Sequence, residues 1–187
     1  MGVRHARLIA KLYPPVDFTL PLRPHREYVL GMANALKQKR SNKPFVAIAV
    51  GGVLAGALDL TQAMILFGKQ IPLAIAGGLL GPGAFQGGAG IYILGVLLHF
   101  FIACSAAAIY FAVSRKLKFL TEYPVVCGLF FGAAVELVMT LVVLPLSALH
   151  AMGPYTYHDL VSGFMVHMVV VGLPISFSMW LFARQPE

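Results

Sequence analysis

Two acidic and two imidazole side chains lie inside long apolar stretches of this chain: Asp59, His99, Glu136 and His167. An ionised side chain at the centre of a membrane span costs about 2.5–3.5 kcal/mol on insertion scales, so each acid needs a partner or a proton. An imidazolium beside a carboxylate relieves that cost, and so does protonation of the carboxyl group. Coupled carboxylate and imidazole groups in a medium of low dielectric are what a proton relay or a cation site requires.

Four long apolar stretches must position these groups. The 187 residues are 59% hydrophobic and 11% charged, with a mean hydropathy of +0.82, which is typical of a small polytopic membrane protein. A helix needs about 20 apolar residues to cross about 30 Å of hydrocarbon. Because no stretch alternates with period two, the sequence predicts an all-α fold with four transmembrane helices in an antiparallel bundle. The predicted spans are residues 44–67, 91–113, 125–146 and 160–182.

Positive charge is concentrated on one side of these spans. Residues 1–43 hold nine of the 14 Lys and Arg, and Arg115, Lys116 and Lys118 lie between the second and third spans. The segment between the first and second spans contains only Lys69. The positive-inside rule therefore predicts that both termini face the cytoplasm. The predicted orientation in the membrane accounts for the net charge of +7, because the Lys and Arg residues lie mainly on the cytoplasmic side. Nucleic acid is therefore not a predicted partner.

The basic segment 1–43 is predicted to be a cytoplasmic tail. It is far longer than a secretory n-region, so it does not resemble a cleavable signal peptide. Short amphipathic patterns within it are separated by prolines. These patterns predict segments that lie along the inner membrane surface, in contact with the lipid bilayer, or that dock on a protein partner.

Small residues at i, i+4 spacing surround each of the four ionisable residues. Such stripes allow helices to approach closely, and polar side chains within them form hydrogen bonds between helices. Counted at 1.5 Å per residue from the side of segment 68–90, the four groups lie at a similar depth of about 10–15 Å. The predicted buried polar cluster is Asp59, Gln62, His99, Glu136, Thr140 and His167, and the predicted packing glycines are Gly52, Gly56, Gly95, Gly128, Gly132 and Gly163.

Segment 68–90 is predicted to be a glycine-rich outer loop. Its apolar part is about ten residues long, too short to cross a bilayer, so an interfacial or re-entrant turn is expected. The glycines resemble a phosphate-binding loop only superficially, because no strand precedes them and no Lys-Ser or Lys-Thr pair follows. Tight packing over the outer end of the bundle is the favoured interpretation, and a lid formed by that packing is left open as a further role.

The loop before the fourth span contains three further candidate residues: His150, His158 and Asp159. The two histidines are candidates for metal binding or for proton entry. Asp159 is expected to cap the first turn of the fourth span. Pro145 and Pro174 fall within apolar runs and predict kinks in the third and fourth spans.

Other chemistries remain open for the buried polar residues. They can serve only as hydrogen bonds between helices, each contributing about 0.6–2 kcal/mol. His99 and His167 could ligate a single b-type haem from opposite sides, or join Asp59 and Glu136 around a metal ion. The sequence itself assigns no cofactor.

Three segments of the chain carry a resemblance to a known family. They read LHFFIACSAAAIYFAVSRKLKF from Leu98, VVCGLFFGAAVELVMTLVVLPLSAL from Val125, and YHDLVSGFMVHMVV from Tyr157. Over about residues 45–184 this pattern resembles the YagU-like family of bacterial inner-membrane proteins. The resemblance implies an inner-membrane helical protein with a link to acid tolerance, and therefore to proton-related physiology. The matching positions are His99, Gly128, Gly132, Pro145, Leu146 and His167.

Two classes of function are consistent with the sequence. In the first, the protein handles protons, a small solute or a cation through the buried polar cluster. In the second, it is a non-catalytic accessory or scaffold subunit that docks through its tail or its membrane faces. An enzyme is the least favoured class, because the chain has no Ser-His-Asp order, no paired-cysteine motif and no phosphate loop. Cys104 and Cys127 are predicted to be free thiols.

Overall fold

A computed structural model describes residues 43–183 of the chain, and the predicted tail therefore lies almost entirely outside the described residues. Within that range the chain forms helices and no strand. Four helices are long and apolar enough to cross a membrane, which confirms the predicted all-α fold with four candidate spans. The spans are Pro44–Phe67, Ala89–Ser114, Pro124–Leu146 and Tyr157–Phe182, named first to fourth below.

Segment 68–90, predicted to be a loop, contains a helix. Ile71–Leu80 forms ten residues of α-helix, and Pro82–Gln86 forms a short 3-10 turn. Ile71–Leu80, named the connecting helix here, rises only about 15 Å and cannot cross a bilayer. Its apolar character and the proline at its second position favour a helix where an interfacial or re-entrant turn was expected. Helix Phe119–Glu122 is a single turn between the second and third spans.

The outer surface of the spans is apolar. Phe45 is 85% exposed, Leu146 79% and Phe130 74%, and many other large hydrophobic side chains on the four spans are also exposed. A contiguous apolar surface of this kind is unfavourable in water and suits contact with lipid chains. Together with the lengths of the helices, it indicates a multi-pass membrane protein.

Close helix contacts determine the order of packing. The first span packs between the second and the fourth, and the fourth packs between the first and the third. At Gly52 an added Cβ would lie 2.7 Å from the Cα of Cys104 in the second span. At Gly128 an added Cβ would overlap the hydroxyl of Ser176 in the fourth span. Side chains larger than hydrogen at these positions would push the spans apart.

A π segment precedes each of the two prolines that were predicted to kink a span. The third span changes from α-helix to π-helix over Met139–Val143, and the fourth over His167–Gly172. Proline lacks an N–H group, and its ring clashes with the carbonyl group four residues earlier. For Pro145 and Pro174 those carbonyl groups lie within the wider π turns, which relieve the clash without ending the helix.

One half of the bundle is tightly packed. The packed half is defined here as the end containing Lys43, residues 115–123 and Ala183. Tyr110 is fully buried in this half, where its hydroxyl donates a hydrogen bond to the Leu120 carbonyl at 2.8 Å. The other half contains residues 68–88 and 147–156 and is named the cavity half. The fully or nearly fully buried hydrophobic residues of the packed half are Ala47, Ala107, Tyr110, Ile175, Met179 and Ala183.

Candidate functional site

The first and second spans form one His–carboxylate pair. His99 Nε2 lies 2.9 Å from the backbone carbonyl oxygen of Gly56 and 3.8 Å from Asp59 Oδ2. Because a carbonyl oxygen can only accept, His99 donates this hydrogen bond through a protonated Nε2. The absence of a side chain at Gly56 allows Phe100 and Ala103 to pack against its backbone, which brings the imidazole within reach of the carbonyl.

The third and fourth spans form a second, tighter pair. His167 Nδ1 lies 2.9 Å from Glu136 Oε2 and 3.1 Å from the Gly163 carbonyl oxygen. Thr140 donates a hydrogen bond of 3.2 Å to the other carboxylate oxygen, Glu136 Oε1. The side chains of Glu136 and His167 are only 12% and 21% exposed. Both oxygens of a mostly buried carboxylate therefore have partners, as the low dielectric of the bundle requires.

Gly163 provides the space that the Glu136 carboxylate occupies. An added Cβ at this position would overlap Glu136 Oε1 and lie 2.9 Å from Glu136 Cδ. The other predicted packing glycines mainly bring helices together, whereas Gly163 accommodates a functional side chain. Gly95 contacts Pro72 of the connecting helix, and Gly132 contacts the His167 carbonyl. The small residues of the second span therefore allow close contact with the connecting helix as well as with a neighbouring span.

One cavity of about 600 Å³ is lined by both pairs. It extends along the cavity half from the four ionisable side chains to Phe67 and Tyr155 near the ends of the spans. Gln62 and Thr140 of the predicted polar cluster also line it. Its walls contain carboxylate, imidazole, hydroxyl and amide groups and several apolar side chains, but no Lys or Arg among the described residues. The titratable lining residues are Asp59, His99, Glu136, Tyr155, His158, Asp159 and His167.

A smaller chamber of about 150 Å³ adjoins this cavity. Six residues line both spaces, including Asp59, His99 and His167. The remaining walls of the small chamber are mostly Ala, Val, Ile and Leu side chains from all four spans and the connecting helix. The ionisable side chains therefore lie at the boundary between a polar space and an apolar one.

The three candidates from the loop before the fourth span do not come together. His158 and Asp159 line the cavity of about 600 Å³, whereas exposed His150 is not part of its lining. The Nδ1 atom of His150 instead lies 3.4 Å from the Pro145 carbonyl oxygen, and its backbone is left-handed, with φ of 45°. Asp159 is the third residue of a capping box whose N-cap is Thr156. The fourth span consequently begins at Tyr157, three residues before the predicted start.

The His, Cys, Asp and Glu side chains of residues 43–183 are not arranged as a metal site. No group of three or more His, Cys, Asp or Glu side chains in this range is placed to hold a metal ion. His99 directs Nε2, a common metal ligand, at the Gly56 carbonyl, so haem ligation through that atom would require breaking a hydrogen bond of 2.9 Å. The geometry therefore provides no specific support for either the metal or the haem hypothesis.

Sequence reasoning missed the two π segments, the connecting helix and the apolar chamber. Pro145 and Pro174 were the signal for the π segments, but proline alone does not distinguish a π turn from a bend. Comparison of the chain with models of protein families, with curated proteins and with solved structures found no match.

Proposed function

We propose that this protein moves protons or a small cation through the cavity of about 600 Å³, using its two His–carboxylate pairs. The observation that supports the proposal is that Asp59, His99, Glu136 and His167, which come from four different spans, all line this single cavity. Ionisable side chains inside membrane spans are costly and typically mark ion pathways or proton relays.

The charges of the lining favour a cation or a proton over an anion. Asp59 and Glu136 supply two carboxylates, and the described lining contains no Lys or Arg to balance them permanently. Within the described lining the counter-charges are imidazoles, a class of side chain that can carry a positive charge or be neutral. An anion would meet unfavourable charge in this cavity whenever the imidazoles are neutral.

The two pairs suit different steps of proton transfer. The 2.9 Å contact between His167 Nδ1 and Glu136 Oε2 allows direct transfer within one hydrogen bond. The 3.8 Å separation between His99 Nε2 and Asp59 Oδ2 exceeds a direct hydrogen bond, so transfer there uses a bridging water. In this mechanism His158 and Asp159 lie on the route between the pairs and the end of the bundle.

The experiment is proton flux into liposomes that contain the purified full-length chain and a pH-sensitive dye. Glu136→Gln keeps the shape of the side chain and removes its charge, so we expect flux to fall by about tenfold or more. Glu122→Gln is the matched control, because Glu122 lies in the packed half outside the cavity. Circular dichroism and gel filtration establish that both variants fold. Wild-type flux in a folded Glu136→Gln variant would refute the proposal.

We further propose that the protein lies in a bacterial inner membrane, with both termini on the cytoplasmic side. The cluster Arg115, Lys116 and Lys118 supports this orientation, since cytoplasmic loops are enriched in positive charge. The cavity half then faces the periplasm. A reporter that fluoresces only in the cytoplasm, fused to the C terminus, tests the orientation; a dark fusion protein present at normal levels would contradict it.

The resemblance to the YagU-like family is in keeping with proton-related physiology and stays a prediction. The alternative function, an accessory or scaffold subunit, depends mainly on the tail within residues 1–43. Almost all of that tail lies outside the described residues, so this hypothesis also stays a prediction.

A further inference from the structure

We infer that the cavity and the adjoining chamber together bind an amphipathic organic cation, whose charge lies near the carboxylates and whose hydrocarbon group fills the chamber. This inference rests on the proposed function and names the class of its substrate. The two spaces share the walls formed by Asp59, His99 and His167, so a single ligand can occupy both.

The charge of the ligand follows from the shared walls. Asp59 lies in the shared walls, and Glu136 lines the cavity beside His167, which is itself a shared residue. When the imidazoles have lost their protons these two carboxylates leave the region negatively charged, and a bound cation can replace the imidazolium as the counter-charge. The third carboxylate of the lining, Asp159, is already engaged by Thr156 in the capping box. The other titratable groups that face this space are His158 and Tyr155, and neither supplies a permanent positive charge.

The apolar part of the ligand follows from the chamber. Its volume of about 150 Å³ is comparable to an engineered apolar cavity in another protein that takes up benzene. Ala74, Ala106 and Val135 are among the side chains that line the chamber without lining the cavity, and they offer no hydrogen bonds. A hydrated inorganic ion would gain nothing from these walls, whereas a ring or a short alkyl group is stabilised by them.

Charge balance links this ligand to proton movement. If a monovalent cation binds beside a His–carboxylate pair and displaces the imidazolium proton, the net charge of the site is unchanged. One proton then leaves for each cation bound. The same four side chains would in this way exchange an organic cation for a proton.

Three ligands of matched shape test the inference on the unmodified full-length protein in detergent. Benzyltrimethylammonium has both features, neopentylbenzene is its neutral isostere, and tetramethylammonium has the charge without the ring. Titration calorimetry, corrected for partition into empty micelles, should show benzyltrimethylammonium binding about tenfold or more tighter than either of the others. Equal binding of the neutral isostere would overturn the role of charge, and equal binding of tetramethylammonium would overturn the role of the chamber.

Filling the chamber provides a second test. Ala106→Leu adds a branched side chain to its wall, so the advantage of benzyltrimethylammonium over tetramethylammonium should fall by about tenfold. Ala112→Leu makes the same change on the exposed side of the same span and should preserve that advantage. Ala74→Leu fills the chamber from the connecting helix and replaces Ala106→Leu if that variant does not fold. An unchanged advantage in a folded chamber variant would refute the inference.

The outcomes separate this inference from the proposed function. Proton flux that depends on Glu136, without preferential binding of benzyltrimethylammonium, overturns the substrate class and leaves proton movement supported. Preferential binding without any flux overturns proton movement and leaves the cation site supported. Release of about one proton per bound cation, measured in weakly buffered solution, would support both, and binding without proton release would refute the exchange.

Discussion

The packed half and the cavity half are built from the same four spans, and both contain stripes of small residues. They differ in what fills the space between the helices. In the packed half the fully buried side chains of Tyr110, Ile175 and Met179 fill it. Ser178 in that half donates its hydroxyl hydrogen to the Ala47 carbonyl at 2.8 Å, so a buried polar group is satisfied by the backbone. In the cavity half the corresponding space is left open and is bordered by ionisable groups.

The difference shows that a stripe of small residues has two structural uses. At Gly52 and Gly128 the missing side chain lets two helices touch, and no space remains. At Gly163 it makes room for a carboxylate from the neighbouring span. The space between the four ionisable side chains is therefore open in the cavity half, whereas the interior around Tyr110 is filled. A concave space with a few converging polar groups is what a binding site requires.

The largest expected effect is a difference in the free energy of unfolding between substitutions at two isoleucines. Ile175→Ala removes a fully buried side chain from the packed half and should lower the free energy of unfolding by about 2–5 kcal/mol. Ile75→Ala removes the same atoms next to existing cavities, so the loss should be about 1 kcal/mol. Reversible unfolding in mixed micelles measures both values. Equal losses at the two positions would mean that the halves do not differ in packing.

The accessibility of engineered thiols sharpens the comparison. In a chain with Cys104→Ala and Cys127→Ala, Ser162→Cys places a thiol on the lining of the cavity, whereas Ser176→Cys places one in the core. A water-soluble thiol reagent should modify the first about 100-fold faster, because reactivity requires access to the thiolate. Labelling is followed by mass spectrometry. Similar rates at the two sites would contradict the closure of the packed half.

Gly163→Ala tests the space for the carboxylate. The added methyl group would displace Glu136 from its position beside His167, so proton flux should fall by about tenfold. Gly90→Ala is the matched control, because a Cβ there meets no atom within 4 Å and the residue also lies in a helix. We expect the control to retain flux within about twofold. If both variants retain flux, the proposed use of Gly163 is wrong.

The smallest expected effect concerns the hydroxyl of Thr140. Thr140→Val removes the hydrogen bond to Glu136 and keeps the shape of the side chain, for a change of about 0.6 kcal/mol or about threefold in flux. Thr61→Val is the control, because Thr61 donates to the carbonyl of Ala57 within its own helix. The same liposome assay measures both variants. A change in the control as large as that at Thr140 would show that the effect is not specific to the carboxylate.

Most of the fold could be predicted from the sequence, and much less of the site. The spans were predictable because length and apolarity alone determine whether a helix can cross hydrocarbon. Their contact partners were not, because Gly95 has the same stripe spacing as the other glycines and yet packs against Pro72 of the connecting helix. The pairing of His99 with Asp59 and of His167 with Glu136 also depends on which spans become neighbours, which sequence spacing does not specify.

The wide turns before Pro145 and Pro174 have a consequence for how such a bundle can be altered. Each accommodates about one residue more than regular α-helix of equal rise, and one residue corresponds to about 100° of rotation. Removing a single residue within Met139–Val143 would therefore turn Leu144–Leu146 about the helix axis, at the end of the third span away from the buried core around Tyr110. Loss of one amino acid would then change which side chains of the third span line the binding space, since Leu144 borders both the cavity and the chamber.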